Sequence, residues 1–261
     1  MKTAVVTGAS GGIGRATALA LAARGYRVFN FSRTDGGHSD IEHIKTDVCA
    51  ESEVAASFAC VLEKCGHINV VVNNAGFGIS GAIEFTDAQD ARRMFDVDFF
   101  GALTVMQQAS GIMRRQGYGT IINISSVAAV FSIPFQGFYS AAKAGINSLT
   151  LALKNELAPF GVNVCAIMPG DVKTGFTGAR KKSLSGSEVY GKRMERAVAA
   201  MEKDEQNGMP PQKVARLAAK LADKKRVAPL YTVGAKYKAF VALSRLLPTS
   251  LANFVVGKMY G

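Results

Sequence analysis

The sequence predicts an α/β fold: a doubly wound parallel sheet of seven strands in the order 3-2-1-4-5-6-7, with helices on both faces. Three observations lead there. Short β-branched runs alternate with helix-length segments from the first residues onward, which calls for parallel strands joined by right-handed helical crossovers. A glycine-rich turn joins the first run to the first helical segment. The composition, 48% hydrophobic and 20% charged, supplies a large core.

Strands are expected at 3–7, 27–32, 41–46, 69–73, 120–124, 162–168 and 229–233, and helices at 12–24, 51–64, 87–116 and 137–160. After Pro169 the alternation stops. Residues 171–212 form a basic segment with a helical run at 188–202. Another helix starts after Pro210-Pro211, and two amphipathic stretches, 236–247 and 249–260, are separated by Pro248. There are no repeats and no low-complexity linker. A single domain over 1–261 is expected, with an inserted loop at 171–212 and a C-terminal helical extension at 234–261.

The formal charge is +11. Residues 1–170 carry 13 basic and 13 acidic side chains and residues 171–261 carry 18 and 7, so the whole excess lies in the last third. A nucleic-acid binder would need basic residues interleaved with exposed aromatics or a known module, and neither is present; no nucleic-acid partner is expected. A solvated basic face is the plainest reading, and a peripheral membrane contact is the sharper one. Cys49, Cys60, Cys65 and Cys165 form no CxxC pair, and His38, His43 and His67 fall outside HxxxH spacing, so neither a metal site nor a disulfide framework is expected. The uncharged run 116–142 contains Asn123, Pro134, Gln136 and several serines, which excludes a membrane span. A cytoplasmic location is the expectation.

TGASGGIG, residues 7–14, links the first strand to the first helix. Glycines allow a tight turn and close backbone approach, and the helix N-terminus offers N–H groups to a pyrophosphate. The second strand ends in Ser32 and Arg33, where an NAD-binding fold would carry a carboxylate for the ribose hydroxyl. A neutral Ser beside a guanidinium favours a 2′-phosphate instead, so NADP(H) is the expected cofactor.

Tyr139 and Lys143 stand at i and i+4 in YSAAK, on one helical face. An ammonium beside a phenol lowers the phenol pKa, which suits a general acid/base for a carbonyl or alcohol. Ser126 closes the strand GTIINISS thirteen positions earlier, placed to hydrogen-bond a substrate oxygen.

With these motifs in order, and with Asp47-Val48, NNAG at 73–76 and PGDVKT at 169–174, the chain resembles the short-chain dehydrogenase/reductase family over most of its length. The resemblance implies a Rossmann fold and an NADP(H)-dependent oxidoreductase interconverting a carbonyl and a secondary alcohol. It implies that Tyr139 transfers the substrate proton, Lys143 holds the nicotinamide ribose and Ser126 orients the reacting oxygen. Gly8, Ser10, Gly12, Ile13 and Gly14 would line the phosphates, with Ser10, Ser32 and Arg33 near the 2′-phosphate. Asp47 and Val48 would contact adenine, Asn74, Ala75 and Gly76 the adenosine ribose, and Pro169, Gly170, Val172 and Thr174 the nicotinamide end. The family's fourth catalytic residue, usually Asn, falls on Asp98 in DVDFFG, which places a carboxylate near Lys143. Residues 171–212 would form the substrate-binding loop and helices.

Val127, Ala128, Ala129, Val130, Phe131, Ile133, Phe135, Phe138 and Phe77 surround Ser126 and Tyr139 in sequence and suggest a lipophilic pocket. The long C-terminal stretch looks like the tail of family members that handle steroids, bile acids, retinoids or acyl lipids. A non-catalytic NADP(H) sensor is the alternative, opposed by the intact Ser126, Tyr139 and Lys143. Family members commonly pair through their long helices, so a homodimer or homotetramer is expected.

Overall fold

A computed structural model describes residues 1–183 and 185–260. Seven strands form one parallel sheet: β1 (Lys2–Thr7), β2 (Tyr26–Ser32), β3 (Ile41–Lys45), β4 (Val70–Asn73), β5 (Gly119–Ile124), β6 (Val162–Pro169) and β7 (Leu230–Val233). Their spatial order is β3-β2-β1-β4-β5-β6-β7, as expected from the sequence. The register places Val5 between Phe29 of β2 and Val71 of β4. The β-branched strands are buried on both faces because helices cover both sides, which is why they read as continuous apolar runs.

On one face lie α1 (Gly12–Ala22) and α9 (Pro211–Ala222), packing Ala18, Leu21, Val214 and Ala218 against Val6 and Val72. On the other lie α2 (Glu51–Cys65), α4 (Ala102–Gln116) and α5 (Gly137–Leu157), where Phe58, Met106 and Ile146 meet Phe29, Val71 and Ile121. The helix ends follow local chemistry. α2 has Glu51 and Glu53 in its first turn, Lys64 in its last, and Gly66 in the left-handed conformation beyond it.

The expected helix 87–116 is not continuous. Asp87 caps α3 (Ala88–Phe95) by accepting from the Gln89 amide, and α4 begins only at Ala102. Between them Asp96–Gly101 forms a π-helical turn. The extra residue of such a turn breaks the 3.6-residue phase, and here it carries Asp98 into the interior.

The shorter helices α6 (Phe176–Ala179) and α7 (Ser187–Tyr190) and the longer α8 (Lys192–Gln206) fill the segment after β6. A two-residue ribbon pairs Ile79–Ser80 with Lys181–Lys182. The chain then closes with α10 (Ala235–Ser244) and α11 (Thr249–Tyr260). Tyr237 of α10 packs under Gly170 and its hydroxyl donates to Asp171, while the Tyr260 hydroxyl donates to Asp204 of α8 at 3.2 Å. The 116–142 run becomes β5, a loop and the start of α5; among the described residues no helix is long and apolar enough to cross a membrane.

Asp223, just past α9, ties three elements together. It accepts from Lys2 at 2.8 Å, Arg24 at 2.7 Å and the Tyr26 hydroxyl at 2.8 Å. These donors, Lys2 first, lower its carboxyl from 3.8 to about 2. A lowered folded-state pKa means that this contribution is present above pH 3.8 and is lost as pH falls toward 2. Asp223→Asn is expected to lower Tm by about 2–6 °C at neutral pH. The gap to the parent should narrow as scanning calorimetry is carried below pH 3.8.

Candidate active site

The strand order reverses between β1 and β4, and a cleft of about 1330 Å³ crosses the C-terminal edge of the sheet there. The glycine turn forms one wall. Gly8 (φ +65°) and Gly12 (φ +54°) adopt left-handed conformations that other residues enter with strain. The Asn30 side chain accepts from the Ala9 amide at 2.9 Å, and the Asn74 side-chain amide donates to the Thr7 carbonyl at 3.0 Å. Thr7 Oγ1 accepts from the amides of Asn74 (2.8 Å) and Ala75 (2.9 Å), locking NNAG to the turn. No side chain caps the N-terminus of α1, and Gly11, Gly12 and Ile13 line the cleft there. An uncapped helix start with neighbouring glycines fits a pyrophosphate.

Gly14 departs from its expected place: it does not line the cleft. A Cβ there would come within 2.4 Å of the Gly8 carbonyl oxygen and 2.5 Å of Asn74 Nδ2, so its glycine permits the close seating of α1 on the turn. The other expected cofactor positions line the cleft: Gly8, Ser10, Ser32, Arg33, Asp47, Val48, Asn74, Ala75 and Gly76, then Pro169, Gly170, Val172 and Thr174. Ser32 spends its hydroxyl proton on the Thr34 carbonyl at 2.6 Å and shapes the loop, whereas Arg33 brings an exposed guanidinium to the cleft wall.

The second wall holds Ser126, Tyr139, Lys143 and Asp98 together. Lys143 Nζ lies 3.0 Å from Asp98 Oδ2 and donates to the Ile124 carbonyl at 3.4 Å, and the Phe77 amide donates to Asp98 Oδ1 at 2.8 Å. The Lys143–Asp98 contact is an ion pair, and among the described residues Oδ2 has no other donor. Burial pushes Asp98 above the usual carboxylate range, against the pull of Lys143 and the Phe77 amide. Burial alone would lower Lys143; the Asp98 carboxylate and Tyr139 together more than offset it, and the ammonium ends above its ordinary value.

Tyr139 corrects an expectation. Its pKa is raised, because burial outweighs the downward pull of the Lys143 ammonium, 5.5 Å from the ring centre, and of the Ser126 hydroxyl. Asp98, which holds the same ammonium, adds to the upward shift.

Residues 2–185 match the family model described as short chain dehydrogenase. The chain belongs to the short-chain dehydrogenase/reductase family. Its relatives include a 3-ketodihydrosphingosine reductase of Bacteroides thetaiotaomicron, 33% identical over 260 residues, covering 98% of this chain and 97% of the relative. A probable short-chain type dehydrogenase/reductase, VdlC, of Helicobacter pylori is 32% identical, covering 95% and 93%. A short-chain dehydrogenase from Streptomyces avermitilis superposes with a TM-score of 0.82 at 30% identity, over 94% of this chain and 93% of that one. This chain is an oxidoreductase acting on CH–OH and C=O groups.

Of the apolar residues suggested for a substrate pocket, Phe77, Val127, Ala128 and Ile133 line the cleft. Phe135 instead packs with Met194 and Ala197, its ring 5.5 Å from that of Tyr190, and Phe138 packs with Ile79 and Met94. Ala129, Val130 and Phe131 lie off the cleft. Among the cleft residues to which the sequence reading gave no role are Phe176 and Glu205. Phe176 places its ring 5.6 Å from that of Tyr139, and its position just past PGDVKT and Gly175 could have drawn notice. Glu205 lies far away in sequence and only the fold brings it in.

Three of the eight cations in residues 171–212 are paired internally. Arg180 pairs with Glu205, which also accepts from Thr177 at 2.7 Å; Lys181 pairs with Asp90 and Lys182 with Glu202. Arg180 is buried, its guanidinium 5.6 Å from the Phe176 ring centre, so the chain Glu205–Arg180–Phe176 props the aromatic face beside Tyr139. Each of these three cations thus has a carboxylate partner within the chain.

Proposed function

We propose that this enzyme is an NADPH-dependent reductase of a lipophilic ketone carried on a long acyl or alkyl chain. The observation that carries the reading is the apolar surface of Phe77, Val127, Ala128, Ile133 and Phe176 in one cleft with Ser126, Tyr139 and Lys143. The 3-ketodihydrosphingosine reductase similar over nearly its whole length favours a long-chain ketone over a steroid, bile acid or retinoid.

The bound dinucleotide would supply the hydride to the carbonyl carbon. Ser126 orients the carbonyl oxygen by a hydrogen bond, and the Tyr139 phenol delivers the proton that turns it into the alcohol. Lys143, fixed by Asp98, stabilises the phenolate left behind until solvent reprotonates it. The turn at Gly8 and Gly12 with the start of α1 would take the pyrophosphate, and Arg33 the 2′-phosphate.

A screen following NADPH absorbance with long-chain 3-ketones, β-ketoacyl thioesters, steroid and bile-acid ketones, retinal and small ketones tests this directly. Turnover confined to small ketones or sugars defeats the lipophilic reading. For the cofactor, Arg33→Asp is expected to lower kcat/KM for NADPH by about 10–100-fold while sparing NADH, through loss of a charge-assisted bond and added repulsion. An unchanged ratio of the two kcat/KM values removes Arg33 from the 2′-phosphate site.

A further inference from the structure

The C-terminal helices leave an apolar face open. α11 buries Val256 toward the body yet exposes Leu251, Phe254, Val255 and Met259, which the 3.6-residue period stacks into one stripe. Phe254 is 60% exposed. α10 presents Phe240 and Leu243, and Leu246 just beyond it is 82% exposed. A helix that is apolar on both its inner and outer faces is stable in water only when something covers the outer one.

Charge decides what that is. From Ala235 onward there are four basic side chains, Lys236, Lys238, Arg245 and Lys258, and no Asp or Glu. Among the described residues none of the four takes part in an ion pair. Two of them flank the aromatics: Lys236 Nζ lies 5.9 Å from the Phe240 ring centre and Lys258 Nζ 5.6 Å from that of Phe254. A second copy meeting this face across a two-fold axis would bring like charges together. An anionic bilayer accepts both the apolar side chains and the cations.

We propose that α10 and α11 form a docking surface for an anionic lipid bilayer. The surface is anchored where the cleft ends: Tyr237 donates to Asp171 and Tyr260 to Asp204, and Asp171 and the neighbouring Glu205 line the cleft. Docking would bring the substrate side of the cleft to the membrane. Lipid binding goes beyond the ketone reading and is measured without turnover, so the two stand or fall separately.

The test is co-sedimentation of the full chain with phosphatidylcholine vesicles, with and without phosphatidylglycerol. Binding is expected on the phosphatidylglycerol vesicles and to weaken as salt is raised. Phe254→Glu should weaken it about tenfold or more, and each Lys→Gln or Arg→Gln change at the four cations about fivefold. The exposed position of Phe254 predicts an unchanged melting curve and unchanged turnover of a detergent-dispersed ketone. No binding to phosphatidylglycerol vesicles, or equal binding by Phe254→Glu, overturns the proposal. So does a parent oligomer that light scattering finds broken by Phe254→Glu, because the face then belongs to a second copy.

Discussion

Tyr139→Phe is expected to lower kcat by about 10²–10⁴-fold while the dissociation constant for NADPH stays that of the parent. The substitution removes only the phenol oxygen. The ring keeps its place 5.6 Å from Phe176, and the glycine turn and Arg33 are untouched. Steady-state kinetics with a responsive ketone, together with a fluorescence titration of NADPH, separates chemistry from binding. A loss under about tenfold would assign the proton to another group. The pH dependence has a definite sign. Burial raises the phenol pKa, so the protonated acid needed for reduction persists through neutral pH and is lost only in the alkaline range.

Asp98→Ala is expected to cost about 3–5 kcal/mol, because it leaves the Lys143 ammonium buried without its carboxylate. It also strips the Phe77 amide of its acceptor. In a chain of this size that corresponds to a fall in Tm of roughly 10 °C. Asp98→Asn is the informative companion, since the side-chain carbonyl can still accept from Phe77 while the charge is gone. The Asp98 carboxylate raises both Lys143 and Tyr139, so removing the charge moves the alkaline limb of the pH–rate profile toward lower pH. Superimposable profiles for parent and Asp98→Asn would show that the carboxylate does not govern the proton donor. In the parent the raised Lys143 also fixes a stability trend: its contribution is complete below pH 10.5 and is lost as pH climbs through the folded-state value.

The alternation of strands and helices was legible because parallel strands buried on both faces read as unbroken apolar runs, and Val70–Asn73 or Gly119–Ile124 can be little else. Tyr139 and Lys143 were legible because helical spacing puts them on one face, and Gly8 and Gly12 because left-handed backbone leaves few alternatives to glycine. What escaped depends on contacts distant in sequence. Gly14 looked like a phosphate ligand, yet its constraint is the Gly8 carbonyl and Asn74. Phe135 and Phe138 are as apolar as Phe77, and only the folded chain shows that Phe77 lines the cleft while the other two do not. The sign of the Tyr139 shift depends on burial, which the YSAAK spacing does not encode. The basic count of the substrate loop could not show that Glu205, Asp90 and Glu202 neutralise three of its cations.

The π-helical turn at Asp96–Gly101 makes this part of the chain a phase device. Each residue of an α-helix advances the azimuth by about 100°, so deleting one residue from the turn would barely shorten the protein but would rotate α3 against α4 by that angle. Either Ala91 and Met94 would leave their buried side or Val105 and Met106 would leave the sheet, and Asp98 would no longer reach Lys143. A change of length here would therefore be felt even with every side chain retained: the ion pair behind Tyr139 is set by a count of residues as much as by their identity.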